Sequence, residues 1–251
     1  MIHFPRLLTP RLNVQLRELT IREAVELNAT PLGQHELAVS AMLAAVVKEA
    51  AGPHNNPGRW TVQERTLAVA HYLSGVSEDG GNFAIGEGRF LDYLDVEADR
   101  YVESFEAGEA GGNAWQVGQL TGDAAVIMES ICSRRMDWIT ADMAARLVPM
   151  GSGEAPAPDA TDEPHRYREW LTVQKSLIEA LPESDFAALF AIYKAGLRGL
   201  HHLFSLDFDR EGHLVLPHGA AQRGKEGGAT LAPARFPVSA CFTELAGYLG
   251  A

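Results

Sequence analysis

The stretch nearest to phosphate chemistry is Gly219-Ala220-Ala221-Gln222-Arg223-Gly224-Lys225, which has the G-x-x-x-x-G-K spacing of a nucleotide loop and follows a short strand pattern. That chemistry needs a Ser or Thr hydroxyl next, for magnesium, and then a helix whose amides hold the phosphates. The chain instead has Glu226, an acid where phosphate charge would sit, and then Gly227-Gly228. A polar loop accounts for the segment better. Asp207-Phe208-Asp209-Arg210-Glu211-Gly212 opens like a calcium loop, but the position six residues after the glycine, which must be a bidentate acid, is His218. His201, His202, His213 and His218 cluster late, with Cys241 beyond them. Imidazole and thiolate suit zinc, so these four histidines are the candidate metal ligands. Adjacent His201 and His202 diverge by about 100° on a helix, and no C-x-x-C or H-x-x-x-H pair accompanies them. No metal and no cofactor is therefore assigned, and a metal-dependent enzyme using these histidines stays as an alternative.

Nucleophile and acid/base patterns are equally thin. No G-x-S-x-G elbow occurs, and Ser152, between Gly151 and Gly153, has no strand before it. Paired carboxylates such as Glu78-Asp79 fall in soft loops, whereas acid/base catalysis needs buried, held carboxyls. Trp60, Trp115, Trp138 and Trp170 are far apart in sequence and read as core or interface anchors. No catalytic residue is assigned, and the chain reads as not an enzyme.

The elements that would position such groups are mostly helical. Residues 1–10 form an arm with Pro5 and Pro10; Leu12, Val14 and Leu16 then alternate with polar residues as in a half-buried strand. Thr20 with Glu23, and Thr61 with Glu64, are capping boxes that start helices over 21–28 and from 62 to about 75. Between them an apolar helix is expected over 34–51, ended by the loop Gly52 to Gly58. Glycine-rich, acidic loops are expected over 76–89 and 108–112, with one short element near Phe90 to Leu94. A helix over 121–148, broken near Ser133, precedes the linker 150–164, which is rich in Gly, Pro and Asp. Helices over 165–181 and 185–204 should pair as an antiparallel hairpin. A β-hairpin should turn at Asp209 to Gly212, and a last short helix should span 242–249. The expected fold is mainly α with minor β (α+β): a helical core, one N-terminal strand and a late β-hairpin. The expected domains are 1–149, the linker 150–164, and 165–251. No internal repeat with a fixed period is legible.

With 251 residues, 46 % hydrophobic, there is enough chain for a real core. The net charge of −12, with no concentrated basic face, argues against nucleic acid as a partner. Cys132 and Cys241 are too few and too far apart for a disulfide framework and read as buried free thiols, which suits a reducing cytoplasm. The N-terminus lacks the apolar core of a signal peptide, and no apolar run is long enough to span a bilayer, so no membrane partner is expected.

The N-terminal part carries a likeness. Phe4-Pro5-Arg6 and Thr9-Pro10-Arg11-Leu12 lead into a strand, Thr20-Ile21-Arg22-Glu23-Ala24 starts a helix, and Trp60-Thr61-Val62-Gln63-Glu64-Arg65 starts another. Over residues 4–75 this resembles the tailed-bacteriophage baseplate protein family that includes hub-assembly chaperones. The linker and the late hairpin have no counterpart in that pattern. The resemblance implies a virion tail or tail-assembly protein, assembled in the host cytoplasm, that acts by contact on other phage tail proteins or as a homo-oligomer within an assembly. On this view the proline-bearing arm, Phe4, Pro5, Leu7, Leu8 and Pro10, is the candidate interaction segment, ordering against a neighbour. A cytoplasmic adaptor module acting through its helices is the other contact-based alternative.

Overall fold

The computed structural model describes residues 2–31, 33–52, 54–151, 155–219, 230–236 and 238. The chain begins with a three-stranded antiparallel sheet. Strand β1 (Leu7–Leu8) pairs with β2 (Asn13–Leu16), Leu7 opposite Val14. The Thr9 hydroxyl closes the intervening turn by accepting the Leu12 amide at 2.9 Å. Helix α1 (Ile21–Asn28) starts at the Thr20–Glu23 capping box, both arms of which form. Helix α2 (His35–Val46) follows and passes without a break into β3 (Val47–Ala50), which pairs with β2. The long helix expected over 34–51 thus ends at Val46 and its last part is strand: from Val47 onward the backbone gains β2 as a hydrogen-bonding partner, and β-branched residues suit that pleat. Helix α3 (Val62–Val76) starts at the second capping box, Thr61–Glu64. A small hairpin, β4 (Ala84–Ile85) with β5 (Gly88–Arg89), lies in the stretch expected to be a plain loop.

The second half opens with a hairpin of β6 (Ser104–Ala110) and β7 (Asn113–Gly118), turning at Gly111-Gly112, both at positive φ. Helices α4 (Gly122–Glu129) and α5 (Arg135–Arg146) come next, and α5 runs straight into β8 (Leu147–Pro149), which pairs with β7. Helix α6 (Pro164–Glu179) packs on α4 and α5 through Leu171 and Tyr167. Helix α7 (Glu183–Gly199) crosses instead to β6 and β7. The expected α6–α7 hairpin is therefore corrected: each helix finds a larger apolar surface elsewhere. Glycines make the α7 contact possible. A Cβ on Gly196 would stand 2.2 Å from Val117 Cγ2, and one on Gly199 would stand 2.4 Å from the Phe105 ring. The last described elements are β9 (Leu206–Phe208) and β10 (His213–Val215), the hairpin expected around Asp209 to Gly212. The helix expected over 242–249 lies outside the described residues.

The expectation of a mainly α fold with one leading strand and one late hairpin is corrected. Helices account for 46 % of the structure and strands for 18 %, in four small sheets, which is a mixed α and β architecture. The expectation of no repeat is corrected too. The order strand–strand–helix–helix–strand occurs twice, as β1-β2-α1-α2-β3 and β6-β7-α4-α5-β8, with the same antiparallel sheet order each time. The shift between the copies is roughly 100 residues, far longer than the periods of solenoid repeats. At one constant shift the copies share Gln15 and Gln116, Leu19 and Leu120, Thr20 and Thr121, Ala24 and Ala125, and Met42 and Met143.

The second copy is joined to α3 at helix starts. Thr61 and Thr121 bridge antiparallel, with Val62 N–H donating to Leu120 O at 3.1 Å and Gly122 N–H to Trp60 O at 2.8 Å. Gly122 is glycine because the Arg65 guanidinium lies against it; a Cβ there would stand 1.8 Å from Nη1. The described part of 150–164 is tied to this junction: Asp159 pairs with Arg59 at 2.9 Å, and the Thr161 hydroxyl donates to Asp123 Oδ2 at 2.7 Å. One apolar cluster, including Val62, Trp138, Ala160, Leu171 and Phe208, draws on residues from both sides of that segment.

Candidate functional site

The four late histidines do not converge on one point. His201 Nε2 lies 2.9 Å from Asp95 Oδ2, and His218 Nδ1 lies 3.6 Å from the same oxygen. His202 faces Asp99 at 3.4 Å. His213 is buried against Glu36 on α2, with Nδ1 2.9 Å from Oε1. Among the described residues no three or more His, Cys, Asp or Glu side chains are grouped so as to hold a metal ion. Burial opposes ionisation of Asp95, but the His201 hydrogen bond and the nearby His218 and His201 charges hold its carboxyl below the usual range.

The other nominated segments are placed as follows. In the hairpin turn that imitates a calcium loop, Asp207 pairs with Arg135 at 3.0 Å and Asp209 with Arg235 at 2.6 Å. Of the phosphate-loop imitation only Gly219 is described. In the N-terminal arm, Phe4 and Leu7 are core residues, Phe4 stacking on Tyr72 with ring centroids 4.9 Å apart. Pro5, Leu8 and Pro10 are exposed. The Cys132 thiol is partly buried, and burial pushes it up to about 12, so it stays protonated. Cys241 lies outside the described residues. Among the described residues no helix is long and apolar enough to cross a membrane.

Two buried polar constellations were not singled out by the sequence reading. The first is centred on Glu36. Glu36 is 2 % exposed, and His213, His35, Arg65 and Glu129 face it. Burial alone would raise its pKa, but the charges of His213, His35 and Arg65 and the His213 hydrogen bond outweigh that and bring it down to about 2. Arg65 donates from Nη2 to Glu36 O at 3.0 Å and to Ser40 Oγ at 2.6 Å. Glu129, at the end of α4, accepts the Glu36 and Leu37 amides at 2.9 and 3.0 Å, capping α2, whose own N-cap residue Gln34 makes no side-chain bond.

The second constellation floors a cavity of about 370 Å³ between α5, α7 and the segment leading into β9. Asp142 Oδ1 accepts Arg146 Nε at 2.7 Å, one helical turn along α5. Its Oδ2 accepts the Tyr193 hydroxyl of α7 at 2.6 Å. All three side chains are at least 97 % buried. Burial and the adjacent Asp142 carboxylate push the Tyr193 phenol well above its ordinary value, so it remains a donor at neutral pH. Gln63 of α3 also lines this cavity, 6 % exposed, and its Oε1 accepts no hydrogen bond from a described residue. Phe204, Phe208, Leu206 and Leu216 supply apolar wall, and Lys194 and Arg198 stand exposed along α7 at the rim.

No family model matches the chain, and no curated protein or solved structure matches it either. The site must therefore be read from its own chemistry. Proton transfer needs a group free to gain or lose a proton. Asp142 accepts from both Arg146 and Tyr193, and Tyr193 stays protonated at neutral pH, so the floor presents fixed hydrogen-bonding partners. An acid and a base four residues apart on a helix, Asp142 and Arg146, were the sequence signal for it. The signal was faint, because such pairs most often sit on solvated faces.

Proposed function

We propose that the protein is a structural or assembly component of a bacteriophage tail or baseplate that works through protein–protein contacts. The phage assignment rests on the likeness over residues 4–75. The observation that carries the contact-based part is the pair of apolar sheet edges. Strand β1 is an edge of the first three-stranded sheet and presents Leu8, 65 % exposed; β8 is an edge of the second and presents Val148, 52 % exposed. Apolar side chains exposed on edge strands invite contact with a partner. Exposed Met150, just beyond β8, extends that second surface.

Deleting the gene from the phage that carries it tests the reading. Loss of intact tails is expected; intact, infective tails would overturn it. Mass spectrometry of purified particles then separates the two roles. A permanent component persists in the particle, and a transient assembly factor does not. Leu8→Lys and Val148→Lys should impair assembly while leaving the isolated protein's melting temperature unchanged.

A further inference from the structure

We infer that Ser205, His201 and Asp95 form a nucleophilic centre, on the wall of the cavity between α5, α7 and β9, that hydrolyses esters of short apolar acids. His201 and Ser205 both line this cavity, and both are partly exposed. Ser205 Oγ lies 3.5 Å from His201 Nδ1, and His201 Nε2 lies 2.9 Å from Asp95 Oδ2. A hydroxyl, an imidazole and a carboxylate in that order are the parts of an activated serine. The first distance is long, as catalytic hydrogen bonds often are before substrate arrives. With Nε2–H donating to Asp95, the neutral ring leaves Nδ1 free to take the serine proton. Asp95 is thus a positioning residue, and it stays ionised at neutral pH. His218 Nδ1 approaches the same oxygen from the other side of the chain, at 3.6 Å.

The backbone that presents the serine is strained. Helix α7 ends at Gly199 and β9 begins at Leu206; between them Leu203 has a φ of 60°, and among the described residues no other non-glycine residue has a positive φ. Phe204 N–H donates to His202 O at 2.6 Å, so the chain reverses in a three-residue turn between His201 and Ser205. The turn is tied to the carboxylate, because Leu203 O accepts the Asp95 amide at 2.8 Å. Beyond it, Ser205 O accepts the Leu216 amide at 2.8 Å. Such strain persists only where the surroundings over-determine it, and it concentrates at active sites. A histidine that served only to pair with Asp95 would not require it.

In the reaction, Ser205 Oγ bonds to the ester carbonyl carbon as its proton passes to His201 Nδ1. The C–O bond to the alcohol then breaks, and the alcohol leaves with that proton. Water, deprotonated by His201, attacks the acyl-serine; the free acid leaves and Ser205 recovers its proton. Lys194 and Arg198 line the same cavity, and their positive charge favours the transient oxyanion. Phe204, Leu206 and Leu216 offer apolar wall to the acyl chain, and a volume of about 370 Å³ suits a small substrate. This activity goes beyond the contact-based reading and does not depend on it.

The test treats the full chain with a fluorophosphonate, which phosphonylates activated serines, and with 4-nitrophenyl butyrate as substrate. Tandem mass spectrometry should find the label on Ser205, and the ester should be hydrolysed. Ser205→Ala and His201→Gln should each lower kcat about a hundredfold or more. Asp95→Asn should lower kcat to a similar extent with KM little changed, because the amide favours the wrong imidazole tautomer. A carboxylate that only held the fold would not give that split. No label on Ser205, or turnover that survives Ser205→Ala, would overturn the centre. Labelling and turnover are read on the isolated protein, so their failure leaves the deletion test standing, and intact tails after deletion leave the ester result standing.

Discussion

At the scale of single residues, the chain places its most consequential charges inside. Glu36 lies in the stretch His35 to Val46, otherwise almost wholly apolar, and nothing in its spacing marks it as buried. Its partner His213 is 177 residues away, so no local pattern could join them. Removing the Glu36 carboxylate leaves the buried Arg65 cation without the charge that faces it, so Glu36→Ala should cost about 3–5 kcal/mol by urea denaturation. Its acid dependence has a definite sign. The folded carboxyl is lowered to about 2, from an unfolded value near 4.5, so its contribution is fully present above about 4.5 and is lost as pH falls toward about 2. Glu129, raised chiefly by burial, acts in the opposite direction, its contribution to stability falling as pH rises. Denaturant midpoints measured from pH 6 down to pH 2.5 should therefore fall for the native chain and fall less for Glu36→Gln. Parallel curves would refute the assignment. The cavity floor was no more legible. Asp142 and Arg146 look like a surface pair in sequence, and their burial is decided by α7, which arrives fifty residues later.

At the scale of elements, sequence reading succeeded where a local rule fixes the start. Thr20 and Thr61 each begin a helix with both arms of a capping box, and the Asp209 to Gly212 turn closes the expected hairpin. It failed where tertiary partners decide. Strands β3 and β8 follow helices with no glycine or proline between, and they exist because β2 and β7 lie beside them. Strand β6 was hidden by Gly108 and by acids at 106 and 109, residues that are depleted in strands generally. Two substitutions test the packing of α7. Gly196→Ala gains helix propensity worth about 1 kcal/mol but drives a methyl into fully buried Val117, so a net loss of about 1–2 kcal/mol is expected. Gly199→Ala meets Phe105, which is 39 % exposed and can swing outward, so it should be nearly neutral. Equal losses at the two positions would show the close approach at Gly196 to be unimportant. Glu129→Ala should cost about 1–2 kcal/mol by releasing two amides of α2, although Glu129 belongs to a different helix.

At the scale of the whole molecule, the duplicated strand–strand–helix–helix–strand unit is the main organising feature. It escaped sequence reading because only scattered positions agree between the copies; what is shared is the burial pattern and the capping threonine. The copies have diverged most in what surrounds them. The second is covered by α6 and α7, while the first is completed by groups from far along the chain, including Phe204 and Phe236. A fragment of residues 1–101 contains one entire unit, yet it lacks these aromatic rings, the Glu129 cap and His213. It should give the collapsed amide spectrum of an unfolded chain, whereas a well-dispersed spectrum would show the first unit to be autonomous.

The Glu36–His213 contact also bears on how the protein comes into being. A ribosome delivers residue 36 long before residue 213, and its exit tunnel withholds the most recent stretch for longer still. Through most of translation α2 would have to bury a carboxylate whose histidine has not yet been made. Sealing the first unit at that stage is penalised, which favours closing its core only after His213 has been made.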